Sequence, residues 1–206
     1  MSKLKVAMDI AMCALWILTY TLVLIGTVKY RYPLISPITQ MIIAPLEWSV
    51  TLLFIKLNAF RLDYASCSYL YWSIVEIVII GVMIKNQYIK RKWIAAYIFA
   101  IIVITALMIH WVVVMEQMFF FTYLNTFIGM VCWLGFVIRN RNYPMKGITL
   151  AIFVVKFVAD ILAFLVYFGE GHWTAQLMCV LLPICQGLFI LVYLIRKLRK
   201  NQEEAS

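Results

Sequence analysis

The chain has 206 residues, of which 66% are hydrophobic and 13% charged, and its mean hydropathy is +0.96. Soluble domains carry about 25% charged residues, so this composition excludes a water-soluble fold. Eight glycines and five prolines exclude a collagen-like or low-complexity chain. The net charge of +9 comes from residues between apolar runs, which favours loops facing anionic lipid headgroups over a nucleic-acid surface. We expect an all-α, polytopic membrane protein with one transmembrane domain over residues 1–200 and a polar tail over 201–206.

Seven apolar segments are each long enough to span a bilayer, which takes roughly 20 residues as a helix. The first follows Lys3 and Lys5, a start that resembles a signal peptide, but its length and Asp9 favour a retained helix. Charged or polar stretches separate the later segments. In chain order the segments cover about residues 6–28, 35–57, 64–84, 93–115, 118–138, 147–169 and 173–195. The pattern predicts a seven-transmembrane-helix bundle without an internal repeat.

Positive charges are divided unequally between the two sets of loops. The loops after helices one, three, five and seven hold 13 Lys and Arg residues, whereas the opposite set holds 4. Cytoplasmic loops carry the excess of Lys and Arg, so the C-terminus is expected in the cytoplasm and the N-terminus outside. Positions 88 and 143 should then be cytoplasmic. We expect a multi-pass protein of a bacterial cell membrane.

The sequence gives no sign of a metal or cofactor. The five cysteines are odd in number and lack C-x-x-C spacing, which indicates neither a disulfide framework nor a zinc site. His110 and His172 have no third ligand at metal-binding spacing. Phosphate-binding loops, acidic Mg²⁺ motifs and a Ser-His-Asp order are also missing from the sequence. We therefore expect no cofactor.

Carboxyl groups within the spans are the strongest candidates for function, because an ionisable group in a bilayer is costly unless it is paired or hydrated. At the helical rise per residue, Glu47 lies roughly 15 Å, Asp160 roughly 14 Å and Glu76 roughly 18 Å from the outer surface. We expect the three carboxyls to line one polar pocket. Glu47 follows Pro45 and has no evident cation nearby, and burial without a cation favours a protonated carboxyl that can donate its proton.

Each acid also has a purely structural interpretation. Asp160 and Lys156 are four residues apart on one helix face and can neutralise each other. Glu76 can bond a neighbouring helix through serine hydroxyls of the kind found at Ser66, Ser68 or Ser73. Further polar groups lie within the spans or near their outer edge. They are Asp9, His110, Asn125 and Gln186.

Aromatic residues concentrate near the predicted outer ends of helices three, four and five. An interfacial aromatic belt explains such a cluster. The alternative is an aromatic-walled pocket that stabilises a cation through its π-faces, and the belt is the favoured interpretation for most of these residues. The cluster contains Tyr69, Tyr71, Trp72, Trp111, Phe119, Phe120, Phe121 and Tyr123.

Helices two to six resemble the small seven-helix membrane-integral terpene cyclases of fungal and bacterial meroterpenoid and indole-diterpene pathways. A proline-containing entry, Tyr32-Pro33-Leu34, precedes helix two, and an acid lies beside a tryptophan in Leu46-Glu47-Trp48, in the reverse order to the family's Trp-Glu pair. Trp72 precedes Glu76 by four residues, as in the family's third helix. The family's Asn, Arg, Gly and Lys of helices five and six are matched by Asn125, Arg139, Gly147 and Lys156.

One family position is not matched. The family has a second acid in the last helix, three residues before a tyrosine, and this chain has Ile190 three residues before Tyr193. The resemblance implies that Glu47 donates the initiating proton and that Glu76 is a pocket acid. Asp160 would then replace the missing acid by geometry.

The resemblance implies proton-initiated cyclisation of a prenylated or polyprenyl lipid, an isomerase or lyase reaction on a hydrophobic prenyl-type small molecule. The catalytic candidates are Glu47, Glu76 and Asp160. A small transporter or channel that uses the same carboxylates, or a non-catalytic membrane subunit, are the alternatives. The candidates for substrate contact are Trp48, Trp72, His110, Tyr123, Asn125, Lys156 and Gln186.

Overall fold

In the computed structural model of the chain, residues 3–57, 64–111, 118–168 and 173–205 are described. They form seven α-helices, with a short 3₁₀ turn at Arg91–Trp93 leading into the fourth. The predicted all-α fold is confirmed over these residues. The helices are α1 (Lys3–Tyr30), α2 (Pro37–Leu57), α3 (Tyr64–Lys85), α4 (Ile94–Ile109), α5 (Met118–Arg139), α6 (Gly147–Tyr167) and α7 (Trp173–Ala205).

Six of these helices, all but α5, are long and apolar enough to cross a membrane. The apolar stretch of α5 that qualifies is shorter and runs over Leu124–Arg139. Large apolar side chains are exposed on the outer surface of several helices, among them Phe99, Ile77 and Leu165. A water-soluble bundle would turn polar residues outward, so this surface is the one expected of a multi-pass membrane protein.

One helix boundary differs from the sequence prediction, and another falls on residues that the structure does not describe. The last helix does not end near residue 195 but continues to Ala205, so most of the predicted polar tail is helical. Its final residues include Arg, Lys, Gln and Glu, which are good helix formers, with no Gly or Pro to interrupt them. Helix α4 was expected over 93–115, and residues 112–117 of that segment lie outside the described part of the chain.

Six helices pack into a closed ring, and the seventh lies outside it. Around the ring each helix packs against the next in the order α1, α3, α2, α5, α7 and α6, and α6 returns to α1. Helix α4 packs on the outer side of α2 and has only Ile101 and Met108 buried. The interior of the bundle is therefore built by six helices, and α4 contributes none of its central side chains.

One end of the ring, called the basic end below, is closed by the connection between α1 and α2. Leu34 in this connection is fully buried, and its carbonyl accepts hydrogen bonds from the Trp133 indole at 2.6 Å and the Tyr143 hydroxyl at 2.7 Å. Burial raises the pKa of Tyr143, which keeps its hydroxyl a donor. Arg196 of α7 donates to the Asn140 carbonyl at 2.9 Å. These bonds bring the Lys- and Arg-rich loops together at one end.

At the opposite end, a buried carboxylate ties three helices together. Asp9 of α1 accepts hydrogen bonds from the Tyr64 hydroxyl of α3 at 2.6 Å and the Tyr167 hydroxyl of α6 at 2.8 Å. Charge-assisted hydrogen bonds to a carboxylate are stronger than neutral ones. Asp9 therefore holds α1 against both of its neighbours in the ring.

Gly129 of α5 packs tightly against Ile43 of α2. A methyl group at this position would lie 2.7 Å from Ile43 Cγ1 and 2.8 Å from its Cδ1, whereas one at Gly135 would meet nothing within 4 Å. Ile43 is buried and β-branched, so it has little freedom to move aside.

We predict that Gly129→Ala lowers the free energy of unfolding by about 1–3 kcal/mol through overpacking. Gly135→Ala, on the same helix, should raise it by up to about 1 kcal/mol through helix propensity. Unfolding titrations of the two variants in detergent check the pair. Equal effects of the two substitutions would contradict the described packing of α5 on α2.

Candidate functional site

Polar side chains converge at mid-depth inside the helix ring. Each of the six ring helices supplies at least one polar or aromatic group there, while the apolar surface faces outward. At the helical rise per residue, those on α1, α2, α3, α5 and α6 lie roughly 14–21 Å from the basic ends of their helices. The buried members are Tyr20 of α1, Glu47 of α2, Glu76 of α3, Asn125 of α5, Lys156 and Asp160 of α6, and Gln186 of α7.

Two of the predicted acids, Glu47 and Glu76, form a close carboxyl pair. Glu47 is 7% exposed and Glu76 is fully buried. The Tyr20 hydroxyl donates to Glu47 Oε1 at 3.4 Å and lies within electrostatic range of both carboxyls. Within the described part of the chain, Glu47 Oε2 and both Glu76 oxygens have no hydrogen-bond partner. The pair therefore has one protein donor for four oxygens.

Two of the three expected serine partners of Glu76, Ser68 and Ser73, are engaged elsewhere. The Ser73 hydroxyl pairs with the Thr51 hydroxyl at 2.8 Å, and Ser68 donates to the Tyr64 carbonyl at 2.8 Å. The structural interpretation of Glu76 as a serine-bonded acid is therefore not what the structure shows. Two unpaired like charges in an apolar interior would be very costly, so the pair is chemically reasonable only if it carries a proton.

The third predicted acid, Asp160, has its own cation. Lys156 Nζ forms a hydrogen-bonded ion pair with Asp160 Oδ1, one turn away on α6, and both side chains are buried. The Lys156 ammonium also lies 4.9 Å from the centre of the Trp16 ring, a distance at which a cation is attracted to the ring face. The four-residue spacing of Lys156 and Asp160 predicted that they neutralise each other, and the structure shows this ion pair.

A small cavity lies between the carboxyl pair and the ion pair. Its volume is about 20 Å³, and Glu47, Tyr20 and Lys156 line it together with Trp16, Tyr69 and Met130. A volume of this size holds one water molecule. Glu47 and Lys156 therefore face the same space, which links the two polar groups, whereas Glu76 and Asp160 lie behind them.

Aromatic rings form one wall of this site. Trp72 is fully buried and packs at a centroid distance of 5.1 Å from Trp16, 6.1 Å from Tyr20 and 4.6 Å from Tyr69. A membrane-interface belt places its aromatic rings at the lipid headgroups, whereas these four rings pack together around Glu47 and Lys156. Trp72 does not line the cavity itself but packs against the Trp16, Tyr20 and Tyr69 rings that do.

Three of the residues predicted to contact substrate hold helices together instead. The half-buried Trp48 donates from its indole to the Ser73 carbonyl at 3.4 Å, joining α2 to α3. Asn125 donates to the Ile42 carbonyl at 2.7 Å, close to the backbone gap made by Pro45 in α2. Gln186 donates to Met130 Sδ at 2.8 Å, joining α7 to α5. None of the three lines the cavity.

Of the remaining predicted contacts, only His110 has a side chain that the structure describes. His110 is exposed and lies at the end of α4, outside the helix ring, so the expected contact with the pocket is not formed. The physical reason is that α4 packs only on the outer side of α2. The side chains of Tyr123 and Phe119 to Phe121, and all of His172, lie outside the described residues.

The aromatic residues that α1 contributes to the cavity were not predicted from the sequence. Trp16 and Tyr20 are four residues apart, so they share one helix face, and both line the cavity. An aromatic pair at this spacing, in a bundle whose other helices carry buried carboxyls, could have indicated the aromatic side of the site. Tyr69 and Met130, which also line the cavity, carried no signal that separated them from ordinary core residues.

Comparisons with known protein families, curated proteins and solved structures find no match to this chain. The chemistry of the site therefore rests on its own geometry. It combines a carboxyl pair that must hold a proton, a buried ammonium–carboxylate pair and aromatic faces beside both. Such a site can donate a proton, accept one and stabilise positive charge.

We predict that Lys156→Met and Asp160→Leu each lower the free energy of unfolding by about 3–5 kcal/mol, because each leaves an uncompensated buried charge. The double variant should be about as stable as the wild type, since replacing both members of a buried pair is often neutral. A double-mutant cycle from unfolding titrations in detergent measures this. Additive losses in the double variant would contradict the buried pair.

Proposed function

We propose that the protein is a membrane-embedded, terpene-cyclase-like enzyme that protonates a prenylated or polyprenyl lipid and cyclises it. The observation that carries the proposal is the buried Glu47–Glu76 pair, which shares one hydroxyl donor and lies beside an aromatic wall. A proton held on a carboxyl without a neighbouring cation at bonding distance is available for transfer. General acid catalysis needs such a group within reach of the reacting atom.

Residues of the site can both supply the proton that the reaction needs and take one back. Glu47 gives its proton to one carbon of a terminal alkene, or to an epoxide oxygen whose C–O bond then breaks. In either case positive charge appears on the adjacent carbon. The carbon chain then closes on this cation while the faces of Trp16 and Trp72 stabilise the charge. A carboxylate of the pair, or Asp160 as the replacement for the acid missing from the last helix, removes the final proton. The site loses and regains one proton, so the net change is an isomerisation.

Tyr20 connects the two members of the pair. Its hydroxyl faces both carboxyls, so it can pass a proton between Glu76 and Glu47 by rotating. Glu47 is the member that lines the cavity, which makes it the donor to substrate. Glu76, fully buried behind it, is the reserve acid. Lys156 lies close enough to act electrostatically on Glu47 and favours its anionic form after proton transfer.

The lipid substrate enters sideways from the bilayer in this proposal. All seven helices span the membrane, with the N-terminus outside and the basic end in the cytoplasm of a bacterial cell. The cavity of about 20 Å³ accepts a prenyl chain only when the side chains around it move apart. A substrate that dissolves in lipid needs no water-filled channel.

A second candidate function is proton-coupled transport. The observation that favours it is the water-sized cavity between Glu47 and Lys156, because a single water next to a buried acid is a step of a proton relay. In this alternative the same pair binds and releases a proton as a solute crosses. Product analysis and proton uptake into vesicles separate the two functions.

We predict that the basic end faces the cytoplasm, because 13 Lys and Arg residues occupy the loops that meet there. Single cysteines at the exposed positions Asn142 and Gln87, in a background without the five native cysteines, should react with a membrane-impermeant thiol reagent only after the cells are opened. These positions avoid Tyr143, which is buried. Labelling of either cysteine in intact cells would contradict this orientation.

We predict that Glu47→Gln lowers turnover by about 10²–10⁴-fold, because it keeps the shape but removes the transferable proton. Glu76→Gln should lower turnover less, because it removes the reserve acid. Asp160→Asn should match Glu47→Gln only if Asp160 takes the final proton. The assay incubates membranes with prenylated or epoxidised polyprenyl substrates and detects cyclised product by mass and chromatography.

Asp9→Asn is the matched control. Asp9 is also a buried carboxylate, but it lies at the end of the ring opposite the basic end and accepts hydrogen bonds from two tyrosine hydroxyls. It should retain full turnover in folded protein. Wild-type membranes that convert no polyprenyl substrate, or a fully active Glu47→Gln variant, would reject the cyclase proposal. Proton uptake that is lost in Glu47→Gln would then support transport.

A further inference from the structure

A groove lies between α1 and α3 at the basic end, away from the buried site. Its volume is about 420 Å³, and Val28, Arg31, Val82, Lys85 and Asn86 line it. Small-molecule sites commonly measure about 300–1,000 Å³, so the groove is large enough for a small polar group. It is open to the surface, because Val28, Arg31 and Lys85 are exposed.

The polar side of this groove carries positive charge without a described counterion. The four acidic residues whose side chains the structure describes are Asp9, Glu47, Glu76 and Asp160, and none of them lines the groove. Asn86 adds an amide that can donate a hydrogen bond next to Lys85. Two cations and an amide at one position form the kind of donor set that binds phosphate oxygens.

The backbone around the groove is held in place by specific hydrogen bonds. Arg31 has a φ of 47°, a left-handed conformation that is uncommon for arginine, and its carbonyl accepts a hydrogen bond from the Tyr88 hydroxyl. On the other side, α3 ends at Lys85 and Gln87 in the following turn has a φ of 61°, while the Tyr88 amide donates to the Met83 carbonyl at 3.0 Å. Tyr88 therefore fixes Arg31 relative to the end of α3, which carries Lys85 and Asn86.

The apolar side of the groove continues toward the middle of the bundle. Ile25 lies three residues before Val28 on α1, and Val78 lies four residues before Val82 on α3, so each pair shares a helix face. Ile25 is 48% and Val78 44% exposed. An apolar strip thus runs from the charged groove along the outer surface of two helices that are long and apolar enough to cross a membrane.

We propose that this groove binds an anionic phospholipid, with the phosphate held by Arg31, Lys85 and Asn86 and an acyl chain lying on Val28, Val82, Ile25 and Val78. A free phosphate ion would use the cations but not the apolar strip. The strip is the reason to assign the site to a lipid. The head group of the bound lipid would lie at the membrane interface, where anionic lipids attract Lys and Arg.

The experiment measures lipid binding to the purified full-length protein in neutral detergent by native mass spectrometry and by thermal unfolding. Phosphatidylglycerol, phosphatidylcholine and inorganic phosphate are titrated separately. The test variant is Arg31→Asn with Lys85→Gln, because asparagine accepts the left-handed backbone. The control variant is Arg141→Asn with Lys146→Gln, which removes the same charge from exposed positions at the same end.

The proposal predicts that phosphatidylglycerol binds and raises the unfolding temperature. The test variant should weaken that binding by about tenfold or more, as expected for the loss of charge-assisted contacts, and the control variant should bind like the wild type. Equal weakening in both variants would assign the effect to general charge attraction and overturn the site. Equal protection by inorganic phosphate, or by phosphatidylcholine, would overturn the assignment to an anionic lipid.

Discussion

The cost of placing ionisable groups in an apolar interior determines how this bundle is organised. A buried charge must be paired, hydrated or removed by protonation. The chain uses two of these solutions side by side. Lys156 and Asp160 neutralise each other on α6, whereas Glu47 and Glu76 have one hydroxyl between them and oxygens without a described partner. The first arrangement leaves no mobile proton, and the second requires one.

The helix ring explains why these groups meet. Six helices enclose one interior, so polar residues at mid-depth on their inner faces point toward the same space. Trp133 donates to the Leu34 carbonyl at 2.6 Å at the basic end, and Tyr64 donates to Asp9 at 2.6 Å at the other. These contacts hold the described parts of the ring together near both ends. The aromatic rings beside Glu47 then make a site suited to positive charge, which is why the proposed chemistry is proton-initiated.

Helix positions and buried acids were predictable from the sequence because each leaves a local signal. The apolar runs predicted α2, α3 and α6 to within a few residues, and the spacing of Lys156 and Asp160 predicted their pair. Packing order leaves no such signal, so the position of α4 outside the ring, and with it the exposure of His110, could not be deduced. For the same reason Trp48 and Asn125 were expected in the pocket but are used between helices.

The central claim is that the Glu47–Glu76 pair holds a proton inside the bundle. Infrared difference spectroscopy of the purified protein near neutral pH measures this through the carbonyl stretch of a protonated carboxylic acid. A band present in the wild type should be lost or shifted in Glu47→Gln and in Glu76→Gln, and unchanged in Asp9→Asn. If the wild type shows only carboxylate bands, or if both glutamine variants keep the protonated band unchanged, the proton is not on this pair and the account is wrong.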